Sequence, residues 1–307
     1  MGRIAFVYPG QGSQHPGMGL DLKKSDLLAR FAFTQADQLR PGTSDQCFFG
    51  DEETLKQTAN TQPCLYTVEM AASQALLGQG VTPDMVAGFS LGELAALTVA
   101  GAVDFENGIK MVTRRGQLMQ AAAEKVDSAM IAVMKLEASQ VEALCAAYPE
   151  AYPVNYNCPG QTVVAVKRDQ LDGLKQDIKA AGGRALPLKV SGGFHSPFMA
   201  EAAEQFGAYL QDVKFSSTFK VPLYSNYTGY PYDRDCRELL QQQICNPVRW
   251  QTLVENMIAD GADTFIELGP GQVLGGLIGR IDKSVTIYHV EDYDSLVKTV
   301  KEVRPYD

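Results

Sequence analysis

Short apolar runs and longer stripes of helical period take turns along this sequence, and most are closed by glycine, proline or a capping residue. Arg3 to Tyr8 predicts a buried strand delivering the chain into Pro9-Gly10-Gln11-Gly12-Ser13-Gln14, where glycines on both sides of Gln11 let backbone approach a ligand closely. Leu27 to Leu39 and Thr61 to Leu77 carry helical periodicity, the second with Pro63 near its first turn, where a missing N–H costs nothing. Met85-Val86-Ala87 predicts a strand and Glu93-Leu94-Ala95-Ala96-Leu97 a helix closed by Gly101. Asp104 then caps a helix running from Phe105 to about Ala123.

From Met130 the pattern changes. Met130 to Leu136 predicts strand, Ala138 to Ala147 helix, and Pro153 to Asn157 and Thr162 to Lys167 two strands joined through Cys158-Pro159-Gly160-Gln161. A helix over Asp169 to Ala181 and a strand over Arg184 to Val190 complete the order β-α-β-β-α-β, the signature of a ferredoxin-like unit. Beyond it, Ser196-Pro197 announces a helix, Val221 to Ser225 predicts a strand, and Asn246-Pro247-Val248-Arg249-Trp250 starts an amphipathic helix ending near Gly261. Thr264 to Leu268, Val273 to Ile281, Val285 to His289 and Ser295 to Val303 finish an alternating α/β pattern. That alternation implies a parallel sheet with helices on both faces. The expected architecture is an α/β core, residues 1–127 and 191–307, interrupted by a subdomain over 128–190.

Composition narrows the function classes. With 45% hydrophobic and 21% charged residues the chain is an ordinary globular protein. A net charge of −9 argues against general binding to nucleic acid or anionic membranes. The N-terminal apolar run, broken at Pro9, is too short for a signal peptide or a membrane span. Six scattered cysteines without metal-type spacing suit a reducing compartment, so a cytoplasmic protein with no metal site is expected.

The candidate chemistry centres on Gly88-Phe89-Ser90-Leu91-Gly92. A strand, Gly-x-Ser-x-Gly and a helix make a nucleophile elbow, in which the two glycines leave room for a sharp turn that exposes Ser90. Its bland alternative is a glycine-rich turn after a core strand. A serine hydroxyl needs a base. Of the three histidines, His289 alternates within a late strand and His15 lies in the glycine loop. His195, framed by Gly192-Gly193 and a helix start, has the placement of a functional residue. A hydrolase-type elbow predicts an acid and then a late histidine, whereas His195 is mid-chain and the acids before it, such as Asp169, Asp172 and Asp177, fall in a surface helix. A Ser-His dyad oriented by a backbone carbonyl fits better. Arg115 lies about 40° from Met111 on the apolar stripe that Met111, Leu118 and Ala122 define. It either snorkels to a helix-end carboxylate or holds the carboxylate of a substrate.

Taken together, Pro9-Gly10-Gln11-Gly12-Ser13-Gln14, the elbow through Glu93, Arg115-Gly116, Gly193-Phe194-His195-Ser196, Asn246-Pro247-Val248-Arg249-Trp250 and Glu267-Leu268-Gly269-Pro270-Gly271 resemble the malonyl-CoA:acyl carrier protein transacylase family. The resemblance implies an α/β-hydrolase-like core with a ferredoxin-like insert. It further implies that Ser90 is acylated by malonyl-CoA with His195 as base and later acid, that backbone N–H groups of Gln11 and Leu91 form the oxyanion hole, and that Arg115 binds the malonyl carboxylate. The Asn246 carbonyl is expected to orient His195, Asn157 and Gln161 to line the pocket, and Phe194 to crowd branched acyl groups. No cofactor is implied, since CoA and phosphopantetheine arrive with the substrates. The acidic carrier protein calls for a local basic patch, with Arg184, Lys189, Arg280 and Lys283 as candidates. A malonyl transacylase of fatty acid synthesis and a trans-acting polyketide acyltransferase share these motifs. A serine hydrolase or thioesterase, and a non-catalytic carrier-binding relative, are the other classes to be separated. Phe89 stands where the family usually has histidine.

Overall fold

In the computed structural model, which describes residues 2–233 and 235–304, eight strands appear among the described residues. In chain order they are β1 (Arg3–Tyr8), β2 (Met85–Gly88), β3 (Ser128–Met134), β4 (Ala151–Cys158), β5 (Gln161–Lys167), β6 (Arg184–Pro187), β7 (Ala262–Leu268) and β8 (Thr286–Val290). They form two sheets, one ordered β2-β1-β7-β8 and the other β4-β5-β3-β6. The first is parallel throughout, and its central strand β1 reads as an apolar run from Ile4 because both faces are covered. The second is antiparallel, and its two helices, Ala138–Cys145 and Leu171–Ala180, bury Val141, Leu174 and Ile178 against Ile131, Val133, Val164 and Val166.

Local chemistry sets the boundaries. Asp104 accepts a hydrogen bond from the Asn107 amide at 2.8 Å and starts the helix Phe105–Lys125, which buries Met111, Arg115, Leu118 and Ala122 on one face. Strand β3 starts two residues before the predicted span, at Ser128, and stops at Met134 because Lys135 takes φ 68° and cannot continue it. The helix predicted to start at Thr61 starts at Thr58, so Pro63 lies inside it. The Thr61 hydroxyl, bonded to the carbonyls of Leu55 and Gln57, holds that first turn. The segment from Val221 to Ser225, predicted as a strand, makes only isolated bridges: Val86 donates to the Pro222 carbonyl and receives from the Tyr224 amide, and Pro222 has no N–H with which to extend the ladder. Helices Leu20–Ser25, Thr43–Phe49, Glu52–Lys56 and Cys236–Cys245 were not predicted. The last of these supports the catalytic machinery.

Candidate active site

Register in the parallel sheet places the elbow. Tyr8 of β1 lies opposite Gly88, the Phe89 amide donates to the Tyr8 carbonyl at 2.8 Å, and the chain turns at Ser90 (φ 53°) into the helix Gly92–Val99. Both flanking glycines are steric necessities. A Cβ on Gly88 would sit 1.9 Å from the Gly92 carbonyl carbon, and one on Gly92 would sit 2.2 Å from the Tyr8 carbonyl oxygen. Because backbone meets backbone, no rotamer relieves either clash. Gly92→Ala is therefore expected to cost about 3 kcal/mol of folding stability, read as a lower urea midpoint at unchanged slope; a midpoint equal to that of the parent would show the turn to be looser than this. Asn226 locks the turn, accepting from the Ser90 amide and donating to the Gly88 carbonyl, each at 2.6 Å.

Ser90 Oγ lies 2.7 Å from His195 Nε2. His195 is buried and also has a left-handed backbone, φ 59°. Hydrogen bonds clamp the loop around it: the Gly193 amide to Ser128 Oγ, Ser196 Oγ to the Gly193 carbonyl, and the Phe198 amide to Ser196 Oγ. Nδ1 faces the Gln243 carbonyl at 2.8 Å. That acceptor requires N–H at Nδ1, which leaves the lone pair of Nε2 directed at the serine proton. The expected acceptor was Asn246, and here the expectation is corrected. Gln243 lies in the last turn of Cys236–Cys245, and the residue four places on, Pro247, has no N–H to claim its carbonyl. Asn246 ends that helix instead and donates its amide to Gln242. Burial first, then the neighbouring Arg115 guanidinium, push the His195 pKa down to about 3, against the raising pull of the Gln243 carbonyl.

Arg115 is 0% exposed. Its Nη1 donates to Gln62 Oε1 at 2.9 Å, and its Nη2 to Gln243 Oε1 at 2.7 Å and Ser90 Oγ at 3.2 Å. Nε has no partner. The side of the fork made by Nε and Nη2 thus holds one unused N–H, on Nε, beside the Nη2 that touches the nucleophile, so a carboxylate that displaces the Ser90 contact takes two bonds from it. Burial lowers its pKa to about 10, partly offset by Glu93, so it stays charged at neutral pH.

A cavity of about 70 Å³ joins these groups, bounded among others by Gln11, Leu91, Met119, Val190 and Phe194. It abuts a cleft of about 210 Å³ at the seam of the two sheets, and Gln11, Phe89, Asn155 and Leu188 line both. Asn157 and Gln161 line the cleft and not the inner cavity, and Gln161 Oε1 accepts from Arg280 Nη1 at 2.6 Å. Sequence reasoning missed Gln62, Glu93 as a partner, Asn226 and Gln243. The only cue was the position of Gln243 four residues before a proline at a helix end.

Residues 5–291 match the family model described as the acyl transferase domain. A curated relative from Bacillus subtilis (strain 168), named malonyl CoA-acyl carrier protein transacylase, is 36% identical, covering 98% of this chain and 98% of its own length. A relative of the same name from Synechocystis is 37% identical over 96% of this chain and 99% of its own. Among solved structures, the malonyl CoA-acyl carrier protein transacylase of Clostridium perfringens superposes with a TM-score of 0.95 at 35% identity, covering 99% of this chain and 98% of that one. A malonyl-transacylase in complex with a type II PKS acyl-carrier protein superposes with a TM-score of 0.94 at 34% identity, over 98% of this chain and 99% of that one. With one fold and near-complete coverage on both sides, this chain belongs to the malonyl CoA-acyl carrier protein transacylase family.

Proposed function

We propose that this protein moves the malonyl group of malonyl-CoA onto the phosphopantetheine thiol of an acyl carrier protein, by way of malonyl-Ser90, in fatty acid biosynthesis. The observation that carries the reading is a buried guanidinium 3.2 Å from the hydroxyl that a buried imidazole is placed to deprotonate. Such a site favours an acyl group that brings its own negative charge.

In the first half-reaction His195 Nε2 takes the Ser90 proton as Oγ attacks the thioester carbonyl, and the carbon–sulfur bond then breaks, with the proton returning to the CoA sulfur. In the second, the carrier thiol gives its proton to the same nitrogen and attacks malonyl-Ser90, and Ser90 leaves with that proton. We assign the oxyanion donors to the backbone N–H groups of Gln11 and Leu91, both at the rim of the inner cavity. Each is worth about 3–4 kcal/mol in such a role. Arg115 takes the malonyl carboxylate, Phe194 walls the acyl pocket, and Asn157 and Gln161 line the cleft by which the thiol arm enters. No cofactor enters the scheme.

We read the parallel sheet with its elbow as an α/β-hydrolase-like core over residues 1–127 and 191–307, and the β3–β6 unit as a ferredoxin-like subdomain over 128–190. Supporting this is the antiparallel order β4-β5-β3-β6 with two helices packed on one side. Arg184, Lys189, Arg280 and Lys283 are exposed and suit an acidic carrier. Six free cysteines accord with the cytoplasm.

Intact-protein mass spectrometry tests the function. Incubation with malonyl-CoA is expected to add one malonyl mass at Ser90, stable in buffer and discharged on adding carrier protein. Rapid hydrolysis without carrier-dependent turnover would assign the site to a thioesterase.

A further inference from the structure

Glu93 lies three residues past the nucleophile, in the first turn of Gly92–Val99, and the transfer scheme gives it no task. It is 0% exposed. Its Oε2 accepts from Gln243 Nε2 at 2.6 Å and from the Asn226 amide at 3.1 Å, and its Oε1 accepts from the Tyr232 hydroxyl. Gln243 in turn touches Arg115, Ser90 and His195. Its Oε1 takes a bond from Arg115, its Nε2 also donates to the Ser90 carbonyl at 2.8 Å, and its backbone carbonyl holds His195.

A glutamine amide has two nearly isosteric orientations. If Gln243 were flipped, an NH2 group would face the guanidinium, donor against donor, and its oxygen would face a carboxylate. While ionised, Glu93 can only accept, and it then admits the single orientation that presents Gln243 Oε1 to Arg115. It is also the acid whose charge acts on the Arg115 guanidinium.

We propose that Glu93 is a positioning residue for the acyl-carboxylate site: it fixes the Gln243 amide that holds Arg115, and it supplies the buried negative charge that balances Arg115 until a substrate carboxylate takes over. The inference rests on the malonyl-transfer reading and extends it.

The neighbouring elements contribute few competing charges. Arg115 comes from Phe105–Lys125, Tyr232 from the segment before Cys236–Cys245, and Cys236 from the start of that helix. His195 faces the same Gln243 and Arg115 and is held neutral by burial and by that guanidinium, and Tyr8 of β1 and Tyr66 and Glu69 of Thr58–Gly78 lie on the elements packed against the elbow helix. Burial favours the neutral form of both tyrosines and of Glu69, and likewise of Tyr232 and Cys236. Burial also raises the Glu93 pKa to about 7, against the lowering effect of Tyr232, Gln243, Asn226 and Arg115. Below that pH Glu93 is protonated and does not oppose a second carboxylate; above it the two negative charges compete for one guanidinium. Malonyl binding should therefore weaken as pH rises through neutrality, and acetyl binding should not.

The test uses the full chain with Glu93→Gln and Glu93→Met, following acylation of Ser90 by malonyl-CoA and acetyl-CoA between about pH 6 and about pH 8.5. Glutamine keeps an oxygen for Gln243 and Asn226, and its NH2 can donate to Tyr232, so it removes charge and retains geometry. Methionine removes both. In the parent the KM for malonyl-CoA should rise about tenfold per pH unit at the limit above the Glu93 pKa, with acetyl-CoA flat; Glu93→Gln should flatten the malonyl profile. Glu93→Met should lower the malonyl-over-acetyl preference about tenfold or more. A Glu93→Gln profile that still rises like the parent's overturns the proposal, as does a folded Glu93→Met that keeps the parent's preference. Where Glu93→Met does not fold, Glu93→Gln decides alone. If the parent accepts no malonyl group, the transfer reading falls and takes this inference with it; a malonyl-loading parent with insensitive variants overturns this inference alone.

Discussion

His195→Ala is expected to slow acylation of Ser90 by about 10⁴- to 10⁶-fold, the range seen when a member of a serine catalytic unit is removed. The serine proton has no other acceptor so placed: Nε2 is 2.7 Å from Oγ, and the other group bonded to that oxygen, Arg115 Nη2, is a donor. Because His195 titrates at about 3 in the empty site, its imidazole stays neutral and basic through the mildly acidic range. The parent's acylation rate should therefore show no acid limb near the ordinary histidine value of about 6.5. A time course of malonyl mass on Ser90, for parent and variant, reads both effects. Loss of less than about tenfold on His195→Ala would mean that another base serves the hydroxyl. A limb at about 6.5 would mean that the imidazole is wetter than its burial implies.

Arg115→Ala is expected to reverse the order of substrates. A charge-assisted pair in a dry site is worth about 2–5 kcal/mol when one partner is deleted, so malonyl transfer should fall by about 30- to 5,000-fold. Acetyl-CoA lacks the carboxylate and brings nothing to pair with the guanidinium, so its use should fall far less or rise. The ratio of kcat/KM values for the two thioesters measures the effect free of enzyme concentration, and an unchanged ratio refutes the assigned role. The variant leaves Gln62 and Gln243 facing a void, so a thermal melt run beside the assay separates selectivity from lost stability. Arg115→Lys is not expected to rescue it, since an ammonium cannot offer the two parallel bonds of the fork.

Much of this machinery is legible in the sequence where local chemistry dictates it. The Asp104 cap, the span Leu27–Leu39, the elbow glycines and the Ser196-Pro197 start each follow from a residue that must do one thing. Pattern also located Arg115, because a cation on an apolar stripe needs a reason. What stayed hidden depends on residues that only tertiary packing makes special. Gln243, Gln62 and Asn226 are ordinary amides until Arg115 and Ser90 fold onto them. The helix Cys236–Cys245 was missed because its stripe, Leu239, Leu240 and Ile244, is short and interrupted by three glutamines. Naming Asn246 as the partner of His195 erred by three residues, the distance between a helix end and the carbonyl that a following proline sets free.

Phe89, the residue before the nucleophile, packs its ring on that of Trp250, centroids 5.4 Å apart. Trp250 is the only tryptophan in the chain. The protein therefore carries one indole among its 13 tyrosines, and it stands behind the Phe89 wall shared by both cavities. Excited selectively at the red edge of its absorption, that single indole is expected to shift its emission when Ser90 is loaded, and a stopped-flow trace with malonyl-CoA checks this in the unlabelled protein; an unchanged spectrum would show that Phe89 does not move on acylation.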